Sequence, residues 1–164
     1  RKILFKGGTA PDGFPPWLRP PQNAKIQDLT PMNALVETIR RYTKEILSGD
    51  ARILAVYLLG SAIRENPGSE SDIDLALMLE AGAEMSSLER LKIANDLTYK
   101  LERSVDLGEI SSANLVYSRE AFLTGVPVFQ RNPEKASLRR AGLLGMYIQF
   151  NLDRKEVLNA YRAG

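Results

Sequence analysis

The alternation of apolar and polar positions changes period repeatedly along the chain, and each change predicts an element. Leu35, Ile39, Tyr42, Ile46 and Leu47 recur every three or four residues. That is a helical stripe, which Thr30-Pro31 can open and Gly49 can close. Residues 53 to 59, Ile-Leu-Ala-Val-Tyr-Leu-Leu, are then apolar without a break between Asp50 and Gly60. A run so short and continuous predicts a strand buried on both faces. A second run, Ile73 to Leu79, follows a polar loop of Gly, Ser, Asn and Pro and ends near Gly82. Ser86-Ser87-Leu88-Glu89 has the form of a capped helix start, and Leu88, Leu91, Ile93, Ala94, Leu97 and Leu101 carry that helix to Arg103. A third strand is predicted at Val105 to Ile110.

Beyond Ser111 the pattern predicts a short helix at Ser118 to Leu123 that stops at Gly125, then an extended segment at Val126 to Gln130. Glu134 to Tyr161 reads as one long helix or two short ones, because Gly142 and Gly145 leave the break open. Helix, strand, strand, helix, strand, then helices predicts an α/β or α+β domain: a short mixed sheet flanked by helices.

The first 31 residues differ in kind. They hold six of the nine prolines and three glycines, which excludes a regular helix or a central strand. Residues 1–31 are therefore expected to be a Pro-rich basic arm, and 32–164 a single domain with a helical C-terminal tail. Phe5, Phe14 and the lone tryptophan, Trp17, give the arm apolar groups with which to lie on a surface.

Composition narrows the chemistry. The chain has 164 residues, no cysteine and no histidine. That removes disulfides, thiolate sites, imidazole bases and nearly every zinc site. Carboxylates, hydroxyls, Lys/Arg and a hard metal remain. The net charge of +2 is unevenly placed: residues 1 to 31 carry five Lys/Arg against Asp12 and Asp28, and the rest carries 17 basic against 18 acidic residues. No broad basic face follows, so stable nucleic-acid binding is not expected. No apolar run reaches the roughly 18 residues of a spanning helix, and no leader-like segment opens the chain, so a cytoplasmic protein with no membrane association is expected.

One stretch carries candidate chemistry: Gly60-Ser61, ten residues, then Asp72-Ile73-Asp74. In a strand, Asp72 and Asp74 at i and i+2 share a face while Ile73 and Leu75 point into the core. Two carboxylates so placed repel unless a cation lies between them, and their hard oxygens suit Mg²⁺. Gly60 stands where a strand ends, so a phosphate can approach the backbone, and Ser61 adds N–H and hydroxyl donors. Arg64 can reach a phosphate, although an ion pair with Glu65 or Glu70 accounts for it equally well. Asp106 joins the pair if its strand lies beside the second run; otherwise it caps a strand end. Three acids around one or two metals beside a phosphate cradle describe nucleotidyl transfer. Neither Asp-x-Asp nor Gly-Ser is specific alone; their order, spacing and attachment to apolar strands give the combination its weight.

With Gly60-Ser61-x10-Asp72-x-Asp74, the Ser71-Asp72-Ile73-Asp74 strand and Val105-Asp106-Leu107, the sequence resembles the polymerase-β-like nucleotidyltransferase superfamily, and more narrowly its minimal nucleotidyltransferases. The resemblance spans Met32 to Tyr161. It implies that Asp72, Asp74 and Asp106 are the catalytic, metal-holding acids for two Mg²⁺ ions. It also implies that Gly60, Ser61, Arg64 and Ser71 hold a nucleoside triphosphate, ATP. Many such proteins are antitoxins that silence a HEPN-type toxin by adding AMP to a tyrosine, in homo- or hetero-oligomers. Two alternatives remain: a small-molecule enzyme of the aminoglycoside-modifying type, and a non-catalytic antitoxin acting by contact. The sequence departs from the family pattern where Glu65-Asn66-Pro67-Gly68 follows Arg64, and in its Pro-rich arm.

Overall fold

The computed structural model describes residues 31–60 and 72–163. In chain order the elements are α1 (Pro31–Leu47), β1 (Ile53–Leu59), β2 (Ile73–Leu79), α2 (Ser87–Leu101), β3 (Val105–Ile110), a short 3₁₀ turn (Ser112–Asn114), α3 (Leu115–Thr124), β4 (Val126–Gln130) and α4 (Pro133–Ala163). Helix α1 thus opens at Pro31, one residue inside the stretch the sequence assigns to the arm, as suits a proline at a first helical position. The remaining arm residues, 1–30, lie outside the described residues.

The four strands form one sheet in the order β3-β2-β1-β4. β1 pairs antiparallel with β2 and with β4, while β2 and β3 run parallel. The parallel pair needs a crossover, and α2 supplies it. The sheet is therefore mixed, as the pattern predicts, and each strand falls on the segment read as extended from the sequence.

Helices cover both faces. On one, Ile39 and Leu47 of α1 and Leu97 of α2 pack on Ile53, Val56, Leu58, Ile73, Leu75 and Leu77. On the other, Ala121 and Phe122 of α3 and Ala136 and Leu143 of α4 pack on Leu54, Ala55, Tyr57, Ala76 and Met78. Tyr57 and Phe122 meet edge to face, with centroids 5.6 Å apart. The β1–β2 register shifts between Ile53 and Ala55, which lets both Leu54 and Ala55 face α3 and α4.

Local chemistry fixes the ends. Ser86 caps α2: its hydroxyl accepts from the Glu89 N–H, and the Glu89 carboxylate accepts from the Ser86 N–H at 2.8 Å. The Arg52 guanidinium ties Glu89 to Asp50 at 2.8 and 2.7 Å. Arg131, after β4, donates to the carbonyls of Leu47, Ser48 and Asp50, satisfying the orphan acceptors where α1 ends. Helix α4 runs unbroken through Gly142 and Gly145, and an added Cβ at either meets nothing within 4 Å. Neither glycine answers to a packing demand.

Candidate active site

The sheet has a polar corner on the face covered by α3. In β2 the side chains alternate, so Ile73, Leu75 and Leu77 join the α1/α2 core while Asp74, Ala76 and Met78 face the other way. β3 repeats the arrangement: Val105 lies in the α1/α2 core and Asp106 faces with Asp74, its register partner in the parallel ladder. On the other side of Asp74, β1 ends with Leu59 in register against it, and Gly60 follows at φ +71°. A Cβ added at Gly60 would collide with Oδ2 of Asp74. Glycine is needed there twice over, for its left-handed backbone and for the carboxylate against it.

Electrostatics agrees with this placement. Burial, then the charges of Asp106 and Asp72, push the Asp74 carboxyl above its ordinary value. Asp72 is exposed, immediately before β2, and Asp106 is exposed on β3. Among the described residues, no three acidic side chains are grouped closely enough, as placed, to hold one ion together. The facing Asp74 and Asp106 carboxylates nonetheless have the donor chemistry a hard divalent cation takes, with Asp72 as a third acid at the mouth. Ser61, Arg64 and Ser71 lie outside the described residues.

A cleft of about 510 Å³ opens at this corner, lined by Leu59, Gly60, Asp74, Asp106, Tyr117, Glu120 and Thr124 among others. A slightly larger depression, about 550 Å³, lies at the C-terminal end of α2 by Thr98, Lys100 and Arg103. It has no glycine turn facing paired carboxylates, so the chemistry belongs to the smaller cleft.

Three lining residues come from α3: Tyr117, Glu120 and Thr124, spaced i, i+3, i+7 on one stripe. The sequence reading missed them. Tyr117 lies so close over β3 that a Cβ at Gly108 would collide with its hydroxyl. Burial, then Asp106 and Asp74, push the Tyr117 phenol up to about 12, so it stays protonated at neutral pH. The one available signal was Gly108, two residues after Asp106 on the same face of a strand, where a glycine marks a close approach.

A family model, polymerase beta nucleotidyltransferase, matches residues 42–134. The chain belongs to this family. The nucleotidyltransferase match spans β1 through β4, and so contains the whole corner described above. Solved structures share its fold. A toxin-antitoxin structure with AMP-PNP superposes with a TM-score of 0.62 at 20% identity, covering 75% of this chain and 98% of that one. A tri-AMPylated Shewanella oneidensis HEPN toxin in complex with MNT antitoxin gives 0.60 at 20% identity, covering 77% and 98%. No curated protein matches the chain. Among the described residues of this nucleotidyltransferase, no helix is long and apolar enough to cross a membrane.

Proposed function

We propose that this nucleotidyltransferase moves AMP from ATP to a hydroxyl of a partner protein, a HEPN-type toxin, with release of pyrophosphate and with Mg²⁺ held by Asp72, Asp74 and Asp106. The observation that carries the reading is the register of Asp74 against Asp106 beside the glycine turn at Gly60. Two acids on neighbouring strands, next to a backbone turn open to phosphate, provide both halves of a phosphoryl-transfer site. The structural neighbours support the partner class: one is a toxin-antitoxin pair with AMP-PNP, another an AMPylated HEPN toxin with MNT antitoxin.

In this reading the metal contributes charge that binds the triphosphate and acidifies the acceptor hydroxyl. Gly60 and Ser61 hold the phosphates through backbone N–H groups, with Ser71 and Arg64 as further polar contacts. Asp106, on the outermost strand, accepts the proton of the attacking hydroxyl. Residues 1–30, before α1, are read as an arm outside the catalytic domain.

The experiment is co-expression with the protein encoded beside this chain, followed by intact mass measurement of that protein. The expected result is one or more AMP additions on tyrosine that depend on Asp74. An unmodified partner whose toxicity is nonetheless neutralised would replace transfer with neutralisation by contact.

A further inference from the structure

We infer that Tyr117 is the acceptor-side specificity residue of the cleft: the incoming hydroxyl group is seated against its ring, over the β3 edge. The inference rests on the proposed transfer to a protein hydroxyl.

The sheet order sets out the cleft from one side to the other. Gly60, the phosphate side, follows β1; Asp74 lies on β2; Asp106 lies on β3, which among the described residues has no strand on its outer side. A triphosphate at Gly60 therefore leaves the β3 side for the second reactant. Helix α3 crosses above this row. Its start lies over β3, where Tyr117 covers Gly108, and its end lies over β1, where a Cβ at Gly125 would press on Leu59 and Tyr57. Of the three α3 side chains lining the cleft, Tyr117 is thus at the acceptor end and Thr124 at the phosphate end.

The β3–α3 turn fixes that position. The Ser118 hydroxyl accepts from the Ser111 N–H at 3.0 Å and donates to the Ser111 carbonyl at 2.9 Å. The Asn114 side chain caps α3 by accepting from the Tyr117 N–H itself, at 3.2 Å. Tyr117 is held by its backbone on one side and Gly108 on the other, while among the described residues no hydrogen bond engages its hydroxyl. A half-buried ring whose hydroxyl no described residue engages, beside the acid nearest the open edge, offers an aromatic acceptor both a packing surface and a polar contact.

The test measures initial rates of AMP transfer to the co-expressed HEPN-type partner, varying partner and ATP separately, for the native chain, Tyr117→Phe, Tyr117→Ala and Gly108→Ala. Tyr117→Ala should raise the KM for the partner by at least about tenfold, as truncating an aromatic anchor does, with the KM for ATP changed less than about twofold. Gly108→Ala, which displaces the ring without removing it, should shift the same constant in the same direction. Tyr117→Phe should stay within about threefold on both, since the ring is retained. Thermal unfolding checks folding, and Tyr117→Leu, which keeps an apolar cover over Gly108, replaces the alanine variant if that variant does not fold. An unchanged partner KM, or equal rises for partner and ATP, overturns the inference and leaves the proposed function standing. No transfer by the native chain removes the proposed function and takes the inference with it.

Discussion

The two faces of the sheet use the same strands for opposite ends. Towards α1 and α2, β2 presents Ile73, Leu75, Leu77 and Leu79, all buried and all large. Towards α3, the same strand presents Asp74, Ala76 and Met78, and β3 presents Asp106 and Gly108. One face is filled with buried branched side chains. The other has a glycine-edged corner occupied by carboxylates, where burial, then the charges of Asp106 and Asp72, raise the pKa of Asp74. Adjacent residues of one strand thus divide stability from chemistry, and substitutions one position apart should separate the two.

The largest expected effect is at Asp74. Asp74→Asn removes a charge from the middle of the corner and should lower transfer by about two to three orders of magnitude, in the range lost when one preorganised electrostatic group is removed. Its effect on stability should run the other way. Because the folded-state pKa of Asp74 lies above its ordinary value, the folded chain binds that proton more tightly than the unfolded chain does. Asp74 therefore lowers stability above the carboxylate range, and this penalty disappears as pH falls through the raised pKa. In metal-free buffer at neutral pH, Asp74→Asn should melt at or above the native temperature.

One residue back, Ile73→Ala should do the reverse. Ile73 is fully buried in the α1/α2 core, and truncation there costs about 2–5 kcal/mol. Transfer measured well below the lowered melting temperature should persist. An Ile73→Ala variant that folds and yet has lost transfer would break the comparison.

Gly60→Ala sits between the two. Its Cβ meets the Asp74 carboxylate and its φ of +71° costs a non-glycine residue about 1–2 kcal/mol. The expected outcome is a modest loss of stability together with weakened ATP binding in calorimetry. A loss of stability alone would detach Gly60 from the nucleotide.

The smallest effect lies far from the corner. Ser86→Ala removes the cap of α2 at a cost of about 1 kcal/mol. The Ser86 backbone and hydroxyl, then Arg52, hold the Glu89 carboxyl at about 2. Its folded pKa is depressed, so its contribution is present above the ordinary glutamate value of 4.5 and is lost as pH falls toward about 2. Acid unfolding of Ser86→Ala should accordingly be less steep over that window, with transfer at neutral pH unchanged.

Much of this was legible in the sequence because it rests on local pattern. The run 53–59 is apolar throughout and 73–79 is apolar but for Asp74, as strands covered by helices on both faces are. Ser86 and Glu89 stand at capping-box spacing, and Gly125 follows the last residue of α3. The Asp74 and Asp106 pairing was legible only conditionally, since nothing local says which strand lies beside β2. Tyr117 left one sign in the sequence, Gly108, and Glu120 and Thr124 left none: they reach the cleft because α3 crosses the sheet, a consequence of packing between distant segments. Helix α4 shows the opposite failure. Gly142 and Gly145 weaken a helix by about 1 kcal/mol each relative to alanine, yet the 31-residue segment stays helical through both, its first half packed by Ala136 and Leu143.

The most direct test of the account is the intact mass of the partner protein after incubation with Mg²⁺ and ATP, comparing the native chain with Asp106→Asn at matched melting temperature. Asp106 lies in register with Asp74, and removing the carboxylate proposed to accept the hydroxyl proton should slow AMP addition by about 10² to 10⁴ while most ATP binding is retained. The account predicts AMP adducts with the native chain and almost none with Asp106→Asn. Equal adducts from both proteins, or none from the native chain, would contradict it.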